Sequence, residues 1–394
     1  MSNTTNQFAS ISDFDDKAAE LAAARQHLHA HPELSFQEYE TAEYVAGRLE
    51  RWGYDVTRNV GGLGVVGRLR QGSDGRSIAI RADMDALPIT EATGLPYASR
   101  VSGTMHACGH DGHTAMLLGA AEYLARTRHF NGTVNLIFQP AEEAGKGSGA
   151  QAMIADGLFE RFPCDAIFGL HNHPGAPVGS FLMRAGPLMA ASDTVTIKIT
   201  GRGGHASRPH LTVDPIVTAA NIVMTLQTVI SRNINPTETA VITVGTIHGG
   251  TASNVIPEDA EITLSVRSFS AEVRDILERR IRGIVTSVAQ AHGATVEIDY
   301  ERGYPVVTNS VPETAFATEV VAELVGQDKV SVCPLIPGSE DFSYFLEHKP
   351  GCFLRLGNGE DSAMLHNSKY DFNDGNLTVG AALWARLTER FLAI

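Results

Sequence analysis

The sequence predicts an α/β protein whose mostly parallel sheet, with helices on both faces, is interrupted by an inserted α+β domain. Three observations predict it. Short apolar runs without alternation, at Ile78–Ile80, Val134–Phe138 and Ala166–Leu170, suit strands buried on both faces of a parallel sheet. Strict alternation takes over in mid-chain, from Thr194 to Thr200. A length of 394 residues also exceeds one ordinary domain and suggests two.

In chain order, residues 1 to about 12 are polar and read as a disordered leader. A helix then carries Leu21, Ala24 and Leu28 toward a core. The glycines of Gly61-Gly62-Leu63-Gly64 precede a strand, so they read as a turn rather than a phosphate-binding loop. The run at Ile78 leads into Asp83 and Asp85. A helix over Thr114–Arg126 places Met116, Leu117, Ala120 and Leu124 on one stripe. The run at Val134 leads into Glu142 and Glu143, and the run at Ala166 leads into His171. In open α/β sheets the site lies beyond the carboxyl ends of the strands, and the polar residues gather at those ends.

The alternating strand at Thr194–Thr200 opens the insertion. A helix follows, roughly residues 213–231, then strands at Ala240–Ile247 and Glu261–Arg267. A second helix over Glu272–Ala291 carries Val273, Ile276, Leu277, Ile281, Ile284 and Val288 on one face. Thr295–Tyr300 closes a β-α-β-β-α-β order, that of a ferredoxin-like unit with helices on one face. The other face and a sheet edge are left to pair. After Tyr304-Pro305 the α/β character resumes, with a strand at Cys352–Leu356 and a last helix. Residues 13–186 and 302–394 are therefore expected to form the catalytic domain, and residues 187–301 the insertion.

Composition excludes several function classes. A formal charge of −14 repels phosphate backbones, so no nucleic-acid partner is expected. No stretch approaches the roughly 20 apolar residues that span a bilayer, and no signal peptide is read at the polar N-terminus. Four scattered cysteines give no disulfide framework, and a ligand thiol suits a reducing compartment. The expectation is a cytoplasmic protein with no membrane partner.

The chemistry concentrates at Met105–His113, M-H-A-C-G-H-D-G-H, where nine residues hold a thiol, three imidazoles and a carboxylate. Cys108 and His110 stand two apart, which in an extended segment puts both side chains on one face. Thiolate and imidazole suit Zn²⁺, Mn²⁺, Co²⁺ or Ni²⁺, although taken alone a free cysteine is more often a small buried hydrophobe. Adjacent Glu142 and Glu143 point apart if the backbone is extended, which divides metal binding from proton handling between them. A solvated loop is the bland alternative for such a pair. His171 and His173, in L-H-N-H-P, and His366, in L-H-N, complete the candidates.

Nine motifs in order carry a resemblance: R-Q-H-L-H-A-H-P-E-L-S, R-A-D-M-D-A-L-P, M-H-A-C-G-H-D, Q-P-A-E-E, G-L-H-N-H-P, G-G-H-A-S, S-N-V-I-P, G-S-E-D-F and L-H-N. From about Arg25 onward the chain resembles amidohydrolases that include hippurate hydrolase, indole-acetyl-amino-acid hydrolases and N-acetyl-diaminopimelate deacetylases. These belong to the aminoacylase and metallo-carboxypeptidase superfamily. The resemblance implies that Cys108, His110, Glu143, His171 and His366 bind two divalent ions (Zn, Mn, Ni or Co) and that Glu142 is the general base. Asp83, Asp85 and Asp111 are expected to support those ligands from behind. Two ions bring +4 and the thiolate and carboxylate return −2, leaving a centre that attracts an anionic substrate.

The implied reaction is hydrolysis of an N-acyl-amino acid to a carboxylic acid and a free amino acid by a metal-bound hydroxide. A metallo-exopeptidase or dipeptidase on the same scaffold is the alternative, and a non-catalytic binding protein a remote one. His205 lies in the loop G-R-G-G-H-A-S, where a surface histidine is the ordinary reading. The resemblance instead implies a lid and dimerisation domain at 187–301, through which subunits pair as a homodimer or a dimer of dimers. There His205 would reach the partner's metal centre and donate to the developing oxyanion. Asn254 and Arg267 match lid positions that hold substrate, with Arg267 suited to a carboxylate.

Overall fold

The computed structural model describes residues 8–394. Part of the expected leader, residues 1–7, lies outside the described residues. The remainder corrects that expectation, because Ala9 is buried and Ile11–Lys17 forms a 3₁₀ helix. The reason is tertiary: the Ala9 N–H donates to Glu389 at 2.6 Å, and its carbonyl accepts from Arg386 at 2.9 Å. Local polarity carries no trace of partners nearly 380 residues away.

The chain folds into two compact units. The first runs to Gly186 and resumes at Thr308–Pro334 and Asp341–Ile394. Its strands are β1 (Asp55–Val60), β2 (Gly64–Gln71), β3 (Ser77–Asp83), β4 (Gly132–Gln139), β5 (Ala166–Pro174), β6 (Phe181–Met183), β7 (Val330–Val332) and β8 (Gly351–Gly359). They form one sheet in the order β1-β2-β4-β3-β5-β8-β6-β7. The four central strands β4, β3, β5 and β8 run parallel, and antiparallel pairs join β1 to β2, β2 to β4 and β8 to β6. Every residue of β3 is buried, as are nearly all of β4, β5 and β8, which is why their sequences do not alternate.

This register builds the site. Asp83 pairs with Gln139, and Arg81 pairs with Gly169, so His171 stands level with Asp83. The helices His110–Thr127 and Leu377–Phe391 pack together over this sheet, burying Met116, Leu117, Leu124, Leu383 and Trp384 in one core.

The second unit, Pro187–Val307 with Leu335–Glu340, carries a four-stranded antiparallel sheet. Its spatial order is Ala240–Gly249, Asp259–Ser268, Ala191–Thr200, Thr295–Arg302. With the helices Pro215–Asn233 and Ala271–Ala291 this is the ferredoxin-like arrangement. Val195, Ile197 and Ile199 are fully buried against both helices. Asp214 caps the first helix by accepting the N–H groups of Ile216 and Val217, with Pro215 at the first helical position. The return segment 335–340 has no hydrophobic period to announce it. It joins through Ala190, whose N–H donates to the carbonyls of Ile336 and Gly338. No helix among the described residues is long and apolar enough to cross a membrane.

Candidate metal centre

The Cys108-x-His110 pair converges for a different reason from the one its spacing suggests. The segment is not extended: Cys108 lies in a bend, Gly109 has φ +91°, and His110 begins the helix His110–Thr127. A Cβ on Gly109 would collide with the side chains of Asn172 and Tyr370, so both the torsion and the space require glycine there.

Two three-residue groups share Cys108. Cys108, His110 and His171 have donor atoms within 4.8 Å of one another, and so do Cys108, Glu143 and His366. The Cys108 sulfur is 3.2 Å from His171 Nε2, and His366 Nε2 is 3.1 Å from Glu143 Oε1. Hydrogen bonds to acceptors fix the tautomers. His171 Nδ1 donates to the Asn172 carbonyl at 2.8 Å, and His110 Nδ1 donates to the Asp85 carbonyl at 2.9 Å. Each imidazole therefore offers Nε2 to the centre. His366 is placed by its backbone, with φ +62° and its N–H on the Ala107 carbonyl.

The two glutamates also depart from the extended geometry. Ala141 has φ +51°, and Glu142–Ala144 form a single 3₁₀ turn. Neighbours in such a turn diverge by about 120°, yet oxygens of both carboxylates lie within 4.8 Å of a His110 nitrogen. Glu142 is 5% exposed and accepts the Asp341 N–H at 3.5 Å. Both carboxylates face the same centre.

Asp85 supports two ligands at once. It accepts from His110 Nδ1 at 3.1 Å, and its other oxygen takes the Glu143 N–H at 2.9 Å and the Ser35 hydroxyl at 2.7 Å. Asp83 comes within 3.6 Å of His110 Nε2, but its short bonds are to Arg81 (2.7 Å) and His113 (2.6 Å). Asp111 does not join them: its hydrogen bonds run to His29 at 2.8 Å and Arg25 at 3.5 Å. Standing in the first turn of a helix, Asp111 points about 100° away from His110.

Three supporting residues escaped the sequence reading. His113 donates to Asp83 and accepts the Asn172 N–H at 3.1 Å, so both its nitrogens are engaged. The Asn172 amide donates to the Cys108 carbonyl at 2.6 Å and accepts the Tyr370 hydroxyl at 2.9 Å. Asn172 thus ties the Cys108 bend, β5 and the loop after His366 together. Buried Asp341 accepts from Gln139, Ala150 and Arg81, clasping both ends of the Glu142–Glu143 loop. The stretch M-H-A-C-G-H-D-G-H and the motifs H-N-H and G-S-E-D-F contain these residues, but nothing in their spacing separates a clasp from a ligand.

The donor set fits divalent cations. His110 Nε2 is buried without a hydrogen-bond partner among the described residues, an orphan that a bound cation would satisfy. Burial, then the charges of Glu143 and Glu142, hold the Cys108 thiol well above its usual range. Burial lowers His110, but Asp83 and Asp85 prevail and raise it to about 10. This is a pocket of excess negative potential, and bound cations reverse such shifts.

His205, Asn254 and Arg267 all belong to the second unit. His205 is exposed, on a two-residue strand where it pairs with Val255. Its Nδ1 accepts the Ser207 N–H at 3.1 Å, so the neutral ring carries its proton on outward Nε2. Asn254 adjoins it, its carbonyl accepting the Ala206 N–H. Arg267 is half-buried and pairs with Ser192, whereas Asp259, near the His205 hairpin, pairs with Thr200. Eight rungs, roughly 26 Å, separate Arg267 from that end.

The chain is similar to known proteins along nearly its whole length. The profile of Peptidase family M20/M25/M40 matches residues 79–390. The hippurate hydrolase of Campylobacter jejuni subsp. jejuni is 44% identical over 96% of this chain and 98% of that protein. The N-acetylcysteine deacetylase of Bacillus subtilis is 41% identical over 94% and 97%. The crystal structure of the Bacillus subtilis YXEP protein, described as a dinuclear metal binding peptidase, superposes with a TM-score of 0.83. It is 36% identical over 95% of this chain and 98% of that one.

Proposed function

The chain belongs to peptidase family M20/M25/M40, and on that premise we propose that it is a binuclear-metal amidohydrolase. It cleaves the amide bond of an N-acyl-amino acid to a carboxylic acid and a free amino acid. The observation that carries this reading is the pair of donor groups sharing Cys108, with a further carboxylate, Glu142, beside them. Relatives named for hippurate and N-acetylcysteine point to acylated amino acids as the substrate class.

Cys108, His110 and His171 would hold one ion, and Cys108, Glu143 and His366 the other. Two divalent ions supply Lewis acidity to the scissile carbonyl and acidify a water. Glu142 accepts the proton of the attacking water. As the C–N bond breaks, Glu142 delivers that proton to the departing amine nitrogen. Its nearly complete burial excludes bulk water from this transfer.

His205, Asn254 and Arg267 are assigned to the substrate from the lid. The separation of Arg267 from the His205 hairpin exceeds the length of an acyl-amino acid. This favours a homodimer in which each site takes His205 from one subunit and Arg267 from the other. The cytoplasm is the proposed location, because a reducing compartment preserves Cys108.

Glu142→Gln tests the base. The variant should retain its metal and lose roughly 10²–10⁴ in kcat. Turnover within about threefold of wild type would overturn the assignment. A panel of N-acetyl, N-benzoyl and free dipeptide substrates separates this activity from that of relatives named as carboxypeptidases.

A further inference from the structure

Among the described residues, five non-glycine residues have positive φ: Phe36, Asn59, Arg128, Ala141 and His366. Such backbone is costly for any residue with a Cβ and persists where its surroundings enforce it. Two of the five answer to one atom. The N–H of Ala141 (φ +51°) and that of Phe36 (φ +59°) both donate to Oε1 of Glu38, at 2.8 and 3.1 Å.

Glu38 is fully buried, and its other oxygen, Oε2, has no hydrogen-bond partner among the described residues. It precedes the helix Tyr39–Arg51 but makes no side-chain capping bond to it, so capping does not explain it. Its grip falls on the residue that turns the chain from the end of β4 into Glu142 and Glu143. The Ala141 carbonyl accepts the Gly149 N–H at 2.9 Å, closing the loop behind the turn. Burial and nearby Asp85 raise the Glu38 carboxyl to about 7, so near neutrality it can hold these amides without placing a full charge beside Asp85.

We propose that Glu38 is a positioning residue for hydrolysis: its Oε1 holds Ala141 in left-handed backbone and so aims Glu142 at the metal centre. The proposal rests on Glu142 being the base. Without this acceptor, Ala141 relaxes toward ordinary backbone and the carboxylate of Glu142 swings off the attacking water. Misplacement by about 1 Å can cost on the order of 10²-fold in rate.

The test separates backbone strain from general structural damage. Glu38→Ala should lower kcat roughly 10–100-fold, with KM and metal content unchanged. Adding Ala141→Gly should restore most of the loss, because glycine adopts positive φ at little cost. Glu38→Asp withdraws the oxygen by one methylene while the carboxyl group stays, and it should lose activity similarly. Glu38→Gln keeps Oε1 and should lose far less. A crystal structure of Glu38→Ala should show Ala141 outside the left-handed region. If Glu38→Ala does not fold, the Glu38→Asp and Glu38→Gln pair carries the same contrast. The proposal is overturned if both Glu38→Ala and Glu38→Asp stay within about threefold of wild type. It is equally overturned if Ala141→Gly relieves none of the loss. Glu142→Gln assayed alongside keeps the two readings apart: an active Glu142→Gln removes the base assignment, whereas a dead one beside fully active Glu38 variants removes only Glu38.

Discussion

Cys108 can serve a metal only as a thiolate, yet burial and the carboxylates around it hold the proton on its sulfur. Cation binding and thiol ionisation are therefore one event. After chelation Cys108 should be alkylated slowly, because its thiol is shielded and protonated, but measurably faster than in Mn²⁺- or Zn²⁺-loaded protein. Peptide mapping after iodoacetamide treatment reads the difference, and equal rates in the two states would count against ligation. Cys108→Ser should lose tight metal binding as well as activity; full metal content with full activity would remove Cys108 from the centre. Cys164, Cys333 and Cys352 are also buried but appear in none of the candidate metal-binding groups, so their alkylation should not respond to the metal.

At the scale of elements, the described N-terminal segment and the last helix form a latch. Glu389, on the helix Leu377–Phe391, accepts the Ala9 N–H, while Arg386 reaches the Ala9 carbonyl. His129 Nδ1 lies 3.7 Å from the other Glu389 oxygen, and Asp13 adds a like charge nearby. Burial, against the opposing pull of Ala9 and Arg386, raises the Glu389 carboxyl to about 7. The folded state thus holds this proton more tightly than the unfolded chain, whose glutamates titrate near 4.3. Its contribution is most favourable at low pH, declines as pH rises from that value to about 7, and is level above it. The total is about 4 kcal/mol at most. Glu389→Gln keeps an acceptor for Ala9 and removes the titration. Its melting temperature should therefore fall less than that of wild type between pH 5 and 8, and identical pH profiles would refute the latch.

At the scale of the whole molecule, the proposed homodimer makes the sharpest prediction. The second unit exposes Ile216, Val217 and Met224 on one helix, Met224 to 70%, an apolar surface of the kind that marks an interface. His205→Ala should lower kcat about 10²–10³-fold with metals retained. Glu142→Ala should be inactive for its own reason. Equal mixing after dissociation should restore about a quarter of wild-type activity, since half the dimers are hybrids and each has one intact site. No recovery from verified hybrids, or a fully active monomer, would end the trans-subunit reading.

Much of this protein is determined by local sequence. Unalternating runs at Ile78, Val134 and Ala166 become β3, β4 and β5 because strands buried on both faces leave no solvent side to encode. Alternation at Val195, Ile197 and Ile199 yields the half-buried strand of the second unit because one face meets helices and the other does not. The residue types of the centre were legible too, since soft thiolate, imidazole and carboxylate donors clustered at strand ends have few other uses. How they converge was not. Cys108 and His110 meet through a left-handed Gly109, and Glu142 and Glu143 share a centre through a left-handed Ala141. Backbone of that kind answers to distant partners: Asn172 and Tyr370 leave no room for a Cβ at position 109, and Glu38 accepts the Ala141 N–H. Asp111 and His113 belong to the same helical turn as His110, and only packing decided that His113 braces Asp83 while Asp111 serves Arg25 and His29. Sequence sets which donors are available and which strands carry them; the close-packed interior sets their torsions, because each is fixed by contacts whose partners lie tens to hundreds of residues away.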